Sequence, residues 1–288
     1  MSLQIKALEE DLGVQLFDRS GSRIALTAAG HTLLGYADQV NTLLAQAEQE
    51  VMATGGDHAG HLALGASTTI AQYVLPSLLS DFRREFSRVH LTLISGNTEN
   101  IVEAVAHQHI ALGLIEGPAR SRDVKTEPFL VDELVLVVPA AHDWAERTSI
   151  SSSELSTTPL LMRERGSGTR RVVELALEHH HVKPASLEIV MELDSTEAIK
   201  SAVEAGLGVG FVSRWALAKD ARTGSTFKIV SIDGLRIERS FLIAYSAGPM
   251  PQGVAQEFRR FLLSRAGMRR SAPHSLSSRL SPSDKRSK

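Results

Sequence analysis

The chain has 288 residues, no cysteine and a formal net charge of −2. That length holds two medium domains with full cores, and the lack of cysteine excludes disulfides, thiol catalysis and zinc–thiolate sites. No apolar run approaches a membrane span and no charged-then-apolar leader follows Met1, so a cytoplasmic protein without a membrane partner is expected.

The first element is a helix. Ile5, Leu8 and Leu12 recur at i, i+3 and i+7, and Gly13 follows as a helix stop. Ser2, Gln4 and Lys6 fall off the apolar face, free to meet bases or phosphates. Leu16-Phe17 is a short apolar pair, Arg19 to Arg23 is a polar turn containing Gly21, and Ile24-Ala25-Leu26 returns as a strand. Helix, strand, basic turn and strand form a recognition helix with a wing, in which Arg19 and Arg23 hold phosphate.

Ser2, Ile5, Leu8-Glu9, Leu12-Gly13, Leu16-Phe17, Arg19, Leu26-Thr27 and Gly30 stand in the order and spacing of one known family. On these residues the chain resembles the LysR-type transcriptional regulators. The resemblance implies DNA as a partner, through Ser2, Gln4, Lys6, Arg19 and Arg23. The family carries roughly two further helices before this point. Met1 falls where the recognition helix has barely begun, so an N-terminally truncated, partial winged helix-turn-helix over 1–27 is expected, with an impaired DNA head. Charge points the same way. Residues 1–57 carry 3 basic and 8 acidic groups, whereas residues 265–288 carry 7 basic and 1 acidic.

A long helix follows over 28–57, with Thr27 as N-cap. Leu33, Ala37, Val40, Leu44, Ala47 and Val51 are spaced 4, 3, 4, 3, 4, a continuous seam that requires a partner helix. The resemblance places a dimerising linker helix here, so a homodimer is expected; a tetramer is left open. Packing on its own domain is the alternative for this helix. Gly55-Gly56-Asp57 ends it.

From His61 the rhythm is strand and helix in alternation. Strands are expected at 61–66, 90–95, 111–115, 132–138, 160–162, 187–192, 208–212 and 239–246. Helices are expected at 71–86, 97–107, 169–180, 195–205 and 251–264. This is the α/β pattern of doubly wound sheets. The resemblance implies a two-lobed, periplasmic-binding-protein-like (type II) effector domain. Lobe 1 is then 60–138 plus 240–266, and lobe 2 is 139–239. Residues 267–288, polar and rich in serine and arginine, form a tail expected to be disordered.

Ligands in open α/β sheets bind beyond the carboxyl ends of the strands. Gly65-Ala66-Ser67-Thr68-Thr69, Arg165-Gly166-Ser167-Gly168-Thr169-Arg170 and Leu193-Asp194-Ser195-Thr196 are three such strand-to-helix loops. Their free N–H groups and hydroxyls suit a small anion, a carboxylate or an inorganic oxyanion. As plain structure, the same residues are helix N-caps. The resemblance raises Ser67 and Thr69 as effector ligands and adds Asn97 and Thr98, with Ser167 and Thr169 across the cleft. Arg163, Arg165 and Arg170 are candidates to pair with the anion. Glu116 cuts the other way: facing the cleft, it would repel an anion or bind an amine.

Gly206-Leu207-Gly208-Val209-Gly210 follows a helix and enters a strand, the reverse of a dinucleotide fingerprint, and reads as a helix cap and turn. His179-His180-His181 lacks the i, i+4 spacing of helical metal pairs. Trp144 and Trp215 read as core or inter-lobe packing. No triad or paired-carboxylate motif stands out, so no enzyme, no metal and no cofactor is expected. The second half, especially MRERGSGTRR and LDSTEAIKSAVEAGLGVGFVS, is most similar to the branch regulating cysteine and sulfur assimilation and RuBisCO operons, which implies sulfur oxyanions or small organic acids as effectors. A stand-alone solute-binding protein and an enzyme on the same two-lobed fold are the alternatives; the seam and the lack of a leader oppose the first, and the second needs an acid/base pair in the cleft.

Overall fold

The computed structural model describes residues 3–18, 24–53, 60–217 and 227–270. At the N-terminus, α1 (Leu3–Leu12) leads to the two-stranded ladder of β1 (Phe17–Asp18) and β2 (Ala25–Leu26), and then to α2 (Ala28–Ala53). Gly13 ends α1 at a φ of +67°, where a side chain would be strained. The Glu9 carboxylate accepts hydrogen bonds from the backbone N–H groups of Leu16 (2.8 Å) and Phe17 (3.1 Å), which ties the turn back to the helix. Thr27 caps α2: its Oγ1 accepts from Gly30 N at 3.0 Å and donates to Gln15 O at 2.7 Å. Gly30 is obligatory, because a Cβ there would lie 2.1 Å from Leu16 O.

Ser2, Arg19 and Arg23 lie outside the described residues, as do Gly55-Gly56-Asp57 and the tail from 271. Gln4 is exposed, and Lys6 faces Glu10 at 3.8 Å one turn on. On α2, Leu33 is half-buried, while Ala37, Val40, Leu44 and Ala47 are exposed. Leu34, Tyr36 and Leu43 are exposed beside them.

The effector region is built on one ten-stranded sheet, ordered β4-β3-β5-β12-β6-β10-β8-β9, with β11 against β6 and β7. Lobe 1 comprises β3 (Gly60–Ser67), α3 (Leu75–Glu85), β4 (Val89–Gly96), α4 (Thr98–Ala106) and β5 (Leu112–Glu116). Two strands then cross between lobes: β6 (Val124–Pro139) and β12 (Ile237–Ser246). Lobe 2 holds β7 (Ser149–Ile150), β8 (Leu160–Arg163), α5 (Gly168–His179), β9 (Ile189–Leu193), α6 (Thr196–Glu204), β10 (Val209–Ser213), α7 (Arg214–Leu217) and β11 (Phe227–Ile232). Finally α8 (Gly253–Arg270) returns to lobe 1.

Each lobe has a core on both faces of its sheet. In lobe 1, Phe82, Phe241 and Phe258 pack under α3 and α8, and Ile101, Val105 and Ile115 pack under α4. In lobe 2, Trp144, Leu160 and Val173 fill the α5 side, and Leu161, Ile199 and Val212 fill the α6 side. Trp215, from α7 of lobe 2, packs on the lobe 1 core, so it is an inter-lobe contact.

Several boundaries differ from the sequence expectation. The strand expected at 132–138 begins at Val124, because Val124–Leu134 pairs along β12 despite its charges. A bulge beside Pro128, whose nitrogen has no hydrogen to donate, absorbs the irregularity. Residues 134–139 of the same strand pair with β10 and β11 of lobe 2, so the change of lobe falls inside β6 and not at 138/139. The helix expected at 71–86 opens as a π-helical turn over Ile70–Val74, ahead of Pro76, which cannot donate one turn back. Helix α8 runs to Arg270, past the expected start of the tail at 267; Met268, Arg269 and Arg270 are good helix formers. Gly206 caps α6 with a φ of +78°, as a helix-stopping glycine should.

Candidate functional site

The carboxyl ends of β3, β5 and β8 meet where the two lobes face each other. The residues there are set by local capping. Ser167 caps α5 by accepting from Arg170 N (3.5 Å), and Ser195 caps α6 by accepting from Ala198 N (3.2 Å). Asn97 and Asn100 form a reciprocal capping box at the start of α4. These hydroxyls and amides act as N-caps, and they fix the loops that carry the remaining candidates.

The lobes are closed on each other. Thr69 Oγ1 of lobe 1 lies 3.2 Å from Thr196 Oγ1 of lobe 2. Arg163 Nη2 donates to Thr68 Oγ1 at 3.1 Å, Glu99 N donates to Gly166 O at 3.2 Å, and Asn97 Nδ2 donates to Arg165 O at 3.4 Å. Tyr73 OH on the lobe 1 side donates to Glu197 on α6. Gly168 is the tightest point: a Cβ there would stand 1.6 Å from Glu116 O and 2.5 Å from Thr98 Oγ1.

Glu116 sits at the centre, 1 % exposed. Its Oε1 accepts from Thr69 N at 2.9 Å, and its Oε2 accepts from Thr169 Oγ1 at 3.0 Å and from Arg239 Nη1 at 2.7 Å. Arg239, on the crossing strand β12, stands opposite Asp132 of the crossing strand β6. Its Nε donates to Asp132 Oδ2 at 2.8 Å; its Nη2 makes an ion pair with the same oxygen at 2.7 Å, outside hydrogen-bond angles. Ser213 Oγ donates to Asp132 Oδ1 at 2.7 Å. Burial pushes the Glu116 carboxyl up, but Arg239, Arg163 and the hydrogen bonds from Thr169 and Thr69 outweigh it and hold the group below its ordinary value. Burial dominates at Asp132 and raises its carboxyl, against the pull of Arg239 and Ser213.

Arg163 is the second buried cation, 2 % exposed. Its Nε and Nη2 are bound by Glu164, and Nη2 also donates to Asp194 O at 3.1 Å. Its Nη1 is buried with no hydrogen-bond partner. A buried guanidinium N–H without an acceptor costs about 1–3 kcal/mol or more, so this nitrogen is a standing donor for an anion.

The structure thus sorts the sequence candidates. Thr68 and the Asp194 carbonyl bond Arg163, Thr69 and Thr169 bond Glu116, whose carboxylate feels the Arg163 charge, and Ser67 Oγ donates to Leu114 O at 3.1 Å. Asn97, Thr98, Arg165, Ser167 and Gly168 gather instead around a neighbouring cavity or at its edge. The Asp194 side chain is exposed, and Ser195 is used as a cap. Glu116 does not present a free negative charge to the cleft, because Arg239 pairs with it. Sequence reasoning missed Arg239 and Asp132, and named Thr196 only as part of its third loop. A signal existed for the first two: RSFLIAYS and DELVLVV are apolar strands each headed by a charge, and the two charges are of opposite sign.

Comparison with known proteins places this geometry. The model described as "LysR substrate binding domain" matches residues 55–267, and "Bacterial regulatory helix-turn-helix protein, lysR family" matches residues 1–31. A probable RuBisCO transcriptional regulator of Trichormus variabilis is 32 % identical over 266 residues, covering 91 % of this chain and 79 % of that protein. The regulatory domain of Synechocystis CcmR, solved in complex with 2-PG, superposes with a TM-score of 0.65 at 29 % identity, over 72 % of this chain and 97 % of that one. Full-length CbnR in complex with its target DNA superposes with a TM-score of 0.70 at 22 % identity, over 91 % of this chain and 88 % of that one, a likeness of fold.

Proposed function

This chain belongs to the LysR family of bacterial transcriptional regulators, and on that premise we propose that it senses a small anionic metabolite between its lobes. It is a ligand-responsive, DNA-binding regulator and not an enzyme. The observation that carries the effector reading is the buried, unpartnered Nη1 of Arg163 at the meeting of the lobes. Thr68 Oγ1 accepts from Nη2 of the same guanidinium, the Thr69 and Thr196 hydroxyls meet across the lobes, and Ser67 braces the first loop. The relative CcmR is described with 2-PG, so small organic acids of that kind are the first candidates.

An anion bonded to both lobes favours the closed arrangement over the open one by its differential affinity. Dimers formed along the exposed seam of α2 carry that bias to a pair of reading heads, each with Gln4 and Lys6 on α1. The setting is the cytoplasm, where DNA and metabolite meet; no helix of the described residues is long and apolar enough to cross a membrane. The helix-turn-helix match over residues 1–31 argues against a stand-alone solute-binding protein.

Calorimetric titration of the full chain with small anions, 2-PG among them, tests this reading. Saturable binding that falls at least tenfold in Arg163→Gln supports it. Binding that is equal in both proteins refutes it.

A further inference from the structure

The lobes grip each other on both faces of the sheet. On the α4 and α5 face, Asn97 Nδ2 and Glu99 N of lobe 1 donate to the carbonyls of Arg165 and Gly166 in lobe 2. On the α6 face, the contact is made by Thr69 and by the π-helical turn Ile70–Val74 that follows it. Ile70 and Val74 are both buried in the lobe 1 core, so the turn is anchored at its two ends. Single π-helical turns are rare and recur at functional sites.

Tyr73 of this turn is half-buried and meets α6 twice. Its hydroxyl donates to Glu197 Oε1, and the Lys200 ammonium stands 5.8 Å from its ring centroid. Lys200 Nζ donates to the same Glu197 oxygen at 3.0 Å, which closes a triangle of three side chains across the lobes. The Lys200 side chain is 7 % exposed and that of Glu197 is 53 % exposed. The charges of the cleft have their own partners: Glu164, Thr68 and the Asp194 carbonyl for Arg163, and Thr69, Thr169 and Arg239 for Glu116.

Local structure explains part of the triangle. An acid in the first turn of α6 suits the helix dipole, and Glu197 with Lys200 is an ordinary i, i+3 pair. Neither reason involves Tyr73. Its hydrogen bond joins two lobes, so it exists only while they are closed. A bond to an ionised carboxylate is stronger than a neutral one, and the half exposure of Glu197 keeps it modest. A modest energy suffices to shift two arrangements of similar free energy.

We propose that Tyr73 is a positioning residue of the sensor: with Glu197 and Lys200 it latches the lobes shut. The strength of the latch sets the fraction of the chain that stands ready to hold an effector, so affinity in the cleft is tuned from outside it. That consequence for affinity rests on the effector reading above; the latch itself does not, and its test contains no effector.

The test is hydrogen exchange of the full chain in buffer free of polyvalent anions, read at single amides by mass spectrometry. The reporter is the Glu99 amide. Its acceptor, Gly166 O, belongs to lobe 2, and the bond lies on the opposite face of the sheet from the Tyr73 turn. Opening of the lobes frees this amide. Amides of β3 and β12 in the lobe 1 core report whether that lobe itself has loosened. The proteins compared are wild type, Tyr73→Phe, Glu197→Ala, the two combined, and Glu85→Gln, which removes an exposed charge from the end of α3. Each latch variant should speed exchange at Glu99 by roughly threefold or more, and the combined variant should fall short of the product of the two, because both remove one interaction. The β3 and β12 amides, and Glu99 in Glu85→Gln, should keep their wild-type rates. The proposal is overturned if Glu99 is unprotected in wild type, if Tyr73→Phe exchanges there at the wild-type rate, or if the two single effects multiply. It is equally overturned if Glu85→Gln matches the latch variants, or if the β3 and β12 amides speed up as much as Glu99, which would make Tyr73 a packing residue of lobe 1 alone.

Discussion

Glu116 Oε2 and Arg239 Nη1 stand 2.7 Å apart, both side chains at most 2 % exposed, one at the end of a lobe 1 strand and the other on a strand that crosses between lobes. Thr169 of lobe 2 joins them, donating to Glu116 and accepting from Arg239 at 2.8 Å. A buried charge pair is retained at a desolvation cost, so it stabilises only while every partner is present. Here its partners come from both lobes and from both crossing strands, so the network spans the junction between the lobes.

Arg239→Met should therefore be severely destabilising. It leaves Glu116 and Asp132 buried without their shared cation, and breaking a buried pair costs about 3–5 kcal/mol. Urea unfolding followed by fluorescence of Trp144 and Trp215 measures this. A loss under about 1 kcal/mol would show that the charges are solvated in solution.

Acid should weaken the same network. The folded-state value of Glu116 is depressed, so its contribution is present above the unfolded carboxylate value, about 4.3, and is lost as pH falls through the folded value. Asp132 is raised, so its contribution has the opposite slope: it is present below about 3.9 and is lost as pH rises through the folded value. Glu116→Gln should be less stable than wild type at pH 7 and should lose less on acidification. Melting temperatures between pH 3 and 7 test this; parallel curves for the two proteins would contradict it.

Gly168→Ala probes closure with one methyl group. Its Cβ would fall 1.6 Å from Glu116 O, on backbone that cannot yield cheaply. The substitution should hold the lobes apart, enlarge the particle in small-angle scattering with saturating effector, and weaken effector binding at least tenfold. An unchanged scattering profile and affinity would mean that the close approach is not part of the bound state.

Leu44→Glu tests the seam of α2. Leu44 is 59 % exposed and Val40 is 64 % exposed in the single chain, an apolar stripe that a second helix would cover. The substitution puts like charges across the seam and should shift light-scattering mass toward the monomer at micromolar concentration. Wild-type mass would remove the seam as the dimer contact.

Most of the fold was legible in the sequence because its signals are local. The runs LALGA, ALGLI and VGFVS are buried strands with small or branched residues, and Asn97, Ser167 and Ser195 mark helix starts by their own capping bonds. The crossing strands were not legible to their full length. Lys125, Glu127 and Pro128 disguise the first half of β6, and only its pairing with β12, more than a hundred residues away, makes it a strand. The site followed the same rule. Ser67 and Thr69 were visible in their loop, but the role of Glu116 depends on Arg239, 123 residues further on, and no local pattern reveals that partner.

The most direct test of the effector cleft is a thermal-shift titration of the full chain against a panel of sulfur oxyanions and small organic acids, 2-PG included, in wild type and in the Ser67→Ala/Thr69→Ala double variant. At least one anion should raise the wild-type melting temperature saturably, and the shift should be lost in the double variant. The same shift in both proteins would place the effector outside the cleft and refute an anion site between the lobes.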